Sequence, residues 1–285
     1  MKVAICGATG FIGRALHKKM IEKEWTVTTI GRESLSLSDE VFRSKKIEGM
    51  DVIINLAGAP VSKKWSITYK QEIYDSRIKT TKKIVDNILS AQHKPSLLIS
   101  GSAIGIYDSI HEHTEESTHF GNSFLSHVCK DWEKEAFHAA NSTRVVVFRT
   151  GVVLGENGGA LNQLHFPFSI GLGGKIGRGD QSFSFIHMLD LINAFIFVIE
   201  HSDFKGIVNA VSPFTSTNAE FTDKLGKVLK QPAWLTIPEF LLKFKYGEGA
   251  QILMEGQKVL PEKLLTAGFQ FRYPTLQNAL IRIYG

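Results

Sequence analysis

Lys2-Val3-Ala4-Ile5-Cys6-Gly7-Ala8-Thr9-Gly10-Phe11-Ile12-Gly13-Arg14-Ala15-Leu16 is the stretch whose reading decides the fold. Val3 to Cys6 is a short apolar run of the kind a parallel strand buried on both faces needs. Arg14 to Glu24 sets Ala15, Leu16, Met20 and Ile21 mainly on one helical face. Between them the glycines are spaced G-x-x-G-x-x-G. Gly7 permits the tight exit from the strand, Gly10 lets backbone approach a pyrophosphate, and Gly13 lets the helix pack closely on the sheet. The phosphates would then meet free N–H groups at a helix N-terminus. A dinucleotide is therefore expected at this turn, with Thr9, Phe11 and Ile12 among its contacts; the alternative is a tight strand–helix turn with no ligand.

Working outward, 285 residues at 43% hydrophobic and 21% charged predict a soluble globular chain with ample core: one large α/β domain plus a small appendage. The expected boundary lies near residue 230, with residues 1–230 as the dinucleotide-binding domain, insertions toward the substrate at about 161–190, and residues 231–285 as a small C-terminal lobe. Cys6 and Cys129 make no disulfide framework and no metal cluster, which fits a reducing cytosol. The N-terminal run turns at once into Gly7 and a charged helix, so no signal peptide is expected. Leu189 to Glu200 is too short to span a bilayer and reads as a buried helix. A net charge of +5, spread along the chain, suggests a mild preference for anionic ligands and no nucleic-acid or membrane partner.

Thr26 to Ile30 reads as a second strand, and its end carries the choice of cofactor. A site for NAD places an acid there; a 2′-phosphate needs an arginine. Gly31-Arg32 occupies the place, so NADP is favoured over NAD; the alternative is a solvated arginine at a strand end. A weak strand at Leu35 to Leu37 and a helix from Asp39 to Ile47 are expected next. Asp51 to Gly58 reads as a buried strand ending in Leu56-Ala57-Gly58, small enough to let the cofactor lie against backbone. A helix follows over Ile67 to Gln92, then a strand over Ser96 to Ser100 leading into Gly101-Ser102. The polar loop Asp108 to Gly121 holds His111, His113 and His119 among four acidic side chains; it reads as a solvated loop without metal-ligand spacing. A helix over Ser123 to Ala140, a strand over Arg144 to Arg149 and a closing strand over Ile207 to Val211 complete a strand–helix alternation. Such alternation means parallel order with right-handed crossovers, and ligands at the C-terminal strand ends. Gly171 to Gly179, with Lys175 and Arg178, reads as a loop able to wrap an anionic or sugar-like ligand, and Phe166, Phe168, Phe183, Phe185 and Phe195 as an apolar lining.

These stretches resemble the extended and atypical short-chain dehydrogenase/reductase superfamily, within it the NAD-dependent epimerase/dehydratase branch often labelled cell-division-inhibitor-like epimerases. The matching segments run almost end to end: GATGFIG, NLAG, SRIKTT from Ser76, VCKDWEKEA from Val128, RTGVVLGENGGAL from Arg149, GLGGKIGRGDQSFSFIH from Gly171, EGQKVLPEKLLTAGF and YPTL. The resemblance implies a Rossmann-like doubly wound parallel sheet, bound NADP, and a small C-terminal lobe on the substrate side. It also implies NADP contacts at Gly31-Arg32, Ala57-Gly58, Glu72, Arg77 and Val152; Leu56, Ser100 and Gly101 lie on the same strand ends.

The chemistry departs from the superfamily. Its proton-transfer pair is Tyr-x-x-x-Lys on one helix face, the lysine lowering the pKa of the tyrosine and holding the ribose. None of the tyrosines at 69, 74, 107, 246, 273 and 284 has lysine four residues on. On the corresponding helix Leu125 takes the tyrosine position and Cys129 the lysine position, while Ser102 matches the serine. The groups left to act on a carbonyl are Ser102 and Tyr107; the other reading of Tyr107 is an amphipathic ring packed beneath its loop. Cys129 reads as a small buried residue, and His187 and Asp190 as capping and packing groups. Two functions follow. One is a cytoplasmic NADP-dependent oxidoreductase or epimerase, monomeric or homodimeric, acting on an unknown carbonyl or sugar-nucleotide-like small molecule. The other is a non-catalytic protein that senses NADP(H) or binds a partner.

Overall fold

The computed structural model describes residues 1–285. Six strands form the central sheet: β1 (Lys2–Cys6), β2 (Thr26–Ile30), β3 (Val52–Asn55), β4 (Leu97–Ala103), β5 (Arg144–Thr150) and β6 (Gly206–Ala210). Their order is β2-β1-β3-β4-β5-β6, and all neighbours run parallel. The chain leaves β1 toward β2, then returns to the other side of β1 for β3. That reversal opens a crevice at the C-terminal ends of β1 and β3, where open α/β sheets bind ligands.

Strand alternation divides the core into two layers. Val3, Ile5, Ile54, Ile99, Val146 and Phe148 face one side, meeting Leu16 and Met20 of α1 (Phe11–Glu22). A long, apolar helix, Met188–Glu200, shares that layer, and its Phe195 stacks on Phe148 at 4.2 Å between ring centroids. Ala4, Cys6, Ile53, Leu98, Val145 and Val147 face the other side. There they meet Ile84, Val85 and Ile88 of α2 (Ile67–Leu89) and Ala136 of α3 (Phe124–Phe137). Burial on both faces is why these strands read as continuous apolar runs. A half-buried edge is the exception: β2 is TVTTI, the outermost strand.

Three expectations are corrected. No strand forms at Leu35 to Leu37: β2 is the last strand on its edge, and Arg32–Leu35 is a single helical turn entered through Gly31. The loop from Asp108 to Gly121 is more than a solvated loop. Glu112–His113 pairs with Lys258–Val259, and His113 and Glu115 are buried beneath it. The five phenylalanines do not line one cavity. Phe195 belongs to the sheet's core, Phe168 and Phe185 to a second core with Phe221 and Leu280, Phe183 stacks on Phe221, and Phe166 is 70% exposed.

The last 55 residues return repeatedly to the rest of the chain. Leu235–Ile237 pairs with Gly174–Ile176, inside the glycine-rich loop, so that loop is partly sheet; Arg178 within it pairs with Asp180. The final helix, Leu276–Tyr284, buries Leu276, Ala279 and Leu280 against Phe221 and Leu225.

Candidate functional site

The turn after β1 is built by what its glycines lack. Gly7 has φ +85°, and a Cβ there would lie 2.9 Å from the Leu56 carbonyl group, against the turn after β3. A Cβ on Gly13 would run into the Gly7 carbonyl oxygen, so α1 starts directly on the turn. Ser66, Ser123, Thr217 and Thr275 cap later helices with their side chains, whereas α1 begins at Gly10 with no side-chain cap and no acid in its first turn. Donors left open at a helix N-terminus, with no carboxylate nearby, suit an anion. Phe11 reaches across to the loop after β5: a Cβ on Gly155 would lie 3.1 Å from its ring, and one on Gly159 2.7 Å.

The turn after β3 is fixed by α2. Asn55 Nδ2 donates to Thr81 Oγ1 at 2.8 Å while its Oδ1 accepts from the Ala57 N–H at 3.2 Å. The Ala59 N–H donates to Ser76 Oγ at 2.9 Å. Arg77 donates to the carbonyls of Ile73 (3.0 Å) and Ala59 (3.2 Å), and a Cβ on Gly58 would lie 2.8 Å from its guanidinium carbon. Its charge meets no carboxylate there. The guanidinium stacks 5.3 Å from the Trp132 ring, and burial pulls its pKa below the usual range. A partly buried cation with carbonyl partners only is a place where an added anion is favourable. Asn55, Ser76 and Thr81 are positioning residues that sequence reasoning did not single out. The signal was present: NLAG and SRIKTT each hold half of the interaction.

Of the expected contacts, Gly7 to Gly13, Gly31-Arg32, Leu56 to Gly58 and Ser100-Gly101 all fall at the C-terminal ends of neighbouring strands, with Cys6, Ile30, Asn55 and Ser100 in one row of the sheet. Thr9, Gly10 and Arg32 are exposed there. Glu72 is exposed on α2, about one and a half turns before Arg77. Val152 starts a short strand, Val152–Leu154, that pairs with Phe185–His187 and packs toward the second core.

Two residues further along β4 than Ser100, Ser102 joins Tyr107 in a single buried polar chain. Ser102 Oγ donates to Glu133 Oε1 at 2.6 Å; Arg149 Nε and Nη2 grip both carboxylate oxygens of Glu133 at 2.9 and 2.7 Å. Arg149 Nη1 donates to the Tyr107 hydroxyl at 2.7 Å, and that hydroxyl lies 2.9 Å from Asn209 Oδ1. Burial opposes the charge of Arg149, but the Glu133 carboxylate outweighs it and raises its pKa. Burial likewise raises Tyr107, which is 1% exposed with its ring stacked on His113. Cys129, in the lysine position, is buried beside this chain and its thiol is pushed up to about 11, first by burial and then by Glu133. At that value it is a neutral thiol at neutral pH, without the thiolate a nucleophile needs, and a thiol in any state lacks the lysine's positive charge. His187 caps the next helix by accepting from the Leu189 N–H, and Asp190 accepts from the N–H groups of Arg272 and Tyr273.

The model of the NAD dependent epimerase/dehydratase family matches residues 3–210. The chain belongs to that family. A model described only as a domain of unknown function matches residues 237–283. The chain is 37% identical to "Epimerase family protein SDR39U1 homolog, chloroplastic" of Arabidopsis thaliana, over 98% of this chain and 86% of that protein. It is 36% identical to "Epimerase family protein SDR39U1" of Mus musculus, over 98% of both chains. Among solved structures it is similar to that of the human epimerase family protein SDR39U1 (isoform 2) with NADPH. The TM-score is 0.92, with 32% identity over 100% of this chain and 99% of that one. The fold is thus that of a short-chain dehydrogenase/reductase, with the glycine turn, NLAG and SRIKTT assembled at one crevice. No helix is long and apolar enough to cross a membrane.

Proposed function

We propose that this epimerase-family chain binds NADP(H) in the crevice after β1 and β3 and works as an oxidoreductase or epimerase on a small carbonyl or sugar-nucleotide-like molecule. The observation that carries the reading is the uncapped, glycine-lined start of α1 set against the Leu56–Gly58 turn and the carboxylate-free Arg77. In this reading Gly7, Thr9, Gly10, Phe11, Ile12 and Gly13 hold the pyrophosphate, Gly31-Arg32 the 2′-phosphate, and Leu56, Ala57, Gly58, Glu72, Arg77, Ser100, Gly101 and Val152 the remainder. The bound dinucleotide supplies hydride transfer at its nicotinamide. The NADPH in the human relative's structure supports the choice of cofactor. The buried free thiols Cys6 and Cys129 support a reducing, cytosolic setting, and residues 231–285 serve as the lobe that meets substrate.

At the reaction end, Ser102 and Tyr107 are the candidate polar groups, and both hydroxyls are held by other protein groups. Ser102 keeps its proton on Glu133; Tyr107 is fixed between Arg149 and Asn209. Their first role is to orient the strand ends, and proton delivery from Ser102 requires Glu133 to release it. A second reading, a non-catalytic NADP(H) sensor, is favoured by Leu125 and the neutral Cys129 in place of the tyrosine and lysine. Fluorescence titration with NADPH, followed by a panel of carbonyl compounds, separates the two. Oxidation of NADPH by any member of the panel supports the enzyme, binding with none turned over supports the sensor, and no binding removes both.

A further inference from the structure

The 108–121 loop closes on itself in a way its sequence spacing does not show. The Asp108 N–H donates to the His119 carbonyl at 3.2 Å, and Tyr107 and Phe120 form an antiparallel bridge just beneath. Residues eleven apart are thereby brought face to face. The His111 and His119 rings stack with centroids 4.1 Å apart, and His111 Nδ1 lies 2.8 Å from Asp108 Oδ2. One carboxylate oxygen of Asp108 and one ring nitrogen each from His111 and His119 lie within 4.8 Å of one another. We propose that Asp108, His111 and His119 form a binding site for one divalent transition-metal ion of the zinc, cobalt and nickel class, at the rim of the sheet beyond β4.

The donor set selects that class. Two imidazoles and a carboxylate suit zinc or cobalt, whereas calcium and magnesium take oxygen ligands in larger number. Around a tetrahedral ion, ligands at about 2.0–2.2 Å stand roughly 3.3 Å apart. The stacked rings of His111 and His119 must swing out of face-to-face contact so that one nitrogen of each points at the ion, and both side chains are exposed, which leaves them room to turn. The carboxylate is already set in place. Asp108 Oδ1 accepts from the N–H groups of Ile110 and His111, both at 3.0 Å, while Oδ2 meets the His111 ring, a contact the ion would replace by standing between them. His113, fully buried, closes behind it with Nε2 3.1 Å from the Asp108 carbonyl oxygen and 3.3 Å from Oδ1. Burial works against the charge of this carboxylate, but the His111 N–H, the His111 ring and the Ile110 N–H together hold its pKa well below the usual range. Such outer partners orient a ligand before the ion arrives. Three protein ligands leave one position open to water, and the ion would tie Asp108, adjacent to Tyr107, to the far end of its loop.

The test is a titration of the full chain, stripped with chelator and dialysed, with Co²⁺ and then Zn²⁺. One equivalent of Co²⁺ is expected to give a visible absorption band that one equivalent of Zn²⁺ bleaches, with Mg²⁺ unable to do so. His111→Gln and His119→Gln are each expected to weaken binding by more than about tenfold. His127→Gln, changing an exposed histidine on α3, is expected to leave it unchanged. Both loop histidines are exposed, and far-UV circular dichroism and NADPH titration of the variants confirm that fold and cleft are intact. Binding that is absent, not of 1:1 stoichiometry, indifferent to His111→Gln and His119→Gln, or equally weakened by His127→Gln overturns the site. These outcomes are independent of whether NADPH binds.

Discussion

The turn after β1 and the polar chain after β4 sit on the same edge of one sheet and handle their polar atoms in opposite ways. At the first, side chains are removed: glycines at 7, 10 and 13 expose backbone, the helix begins uncapped, and Arg77 has carbonyls for company. At the second, side chains answer one another from Ser102 through Glu133, Arg149 and Tyr107 to Asn209. The difference teaches where this fold waits for a ligand. An uncapped helix start and a carboxylate-free cation are stabilised by an anion from outside; a satisfied network is stable alone and must be disrupted before it can act.

The largest expected effect tests the open end. Gly10 has φ −73°, which any residue adopts, and a Cβ there meets only the Gly7 oxygen at 3.2 Å. Gly10→Val should therefore keep the fold by circular dichroism while NADPH affinity drops below detection in a fluorescence titration. Wild-type affinity in that variant would remove the phosphate cradle and with it the comparison.

Next comes the closed end. Glu133→Gln leaves Arg149 buried with no carboxylate to compensate its charge and an amide NH2 facing one of its donors, and breaking a buried pair of this kind costs about 3–5 kcal/mol. Urea unfolding should show that loss, with NADPH affinity of the surviving folded protein little changed. If instead binding collapses and stability holds, the network belongs to the cofactor site and the two ends are not distinct.

A smaller effect sharpens the cofactor choice. Arg32→Asp exchanges a cation for an acid at the end of β2, and a charged hydrogen bond to phosphate is worth about 1.5–3 kcal/mol, roughly one to two decades. The ratio of NADPH to NADH dissociation constants should fall by that factor and cross unity. An unchanged ratio would assign the 2′-phosphate to another group.

The smallest concerns Tyr107→Phe, which deletes a hydroxyl held by Arg149 and Asn209. Loss of these two buried hydrogen bonds, in a network whose other links remain, predicts about 1–2 kcal/mol of destabilisation. Any turnover found with a carbonyl substrate should persist within a few-fold; a fall of about 10² or more, the scale of lost acid–base catalysis, would make Tyr107 the proton donor.

How much of this was legible in the chain differs from residue to residue. The sheet, the glycine turn and the buried helix Met188–Glu200 follow from local pattern: period, apolar runs and glycine spacing act within a few residues of themselves. Cys129 as a small buried residue and His187 as a cap also follow, because a helix N-terminus needs nearby acceptors, whereas Asp190 joins the helix to the distant Arg272-Tyr273 backbone. The strand expected at Leu35 to Leu37 rests on the alternation of two leucines, and only the edge position of β2 and the helical turn Arg32–Leu35 show that no strand forms there. The lining assigned to Phe166 through Phe195 failed for a related reason: aromatic content does not say which of two cores a ring enters.

The sequence by itself determined the parallel sheet, the site of the crevice and the absence of the Tyr-x-x-x-Lys pair, since each is written in contiguous residues or in a fixed spacing. Only the tertiary structure decided what the remaining polar residues do. Glu133 and Arg149 are sixteen residues apart, Tyr107 and Asn209 one hundred and two, and Asp108 and His119 meet only because their loop bridges back on itself. Hydrogen bonds and metal-ligand spacings act over about 3 Å in space whatever the separation along the chain, so their partners are fixed by how the strands are laid side by side.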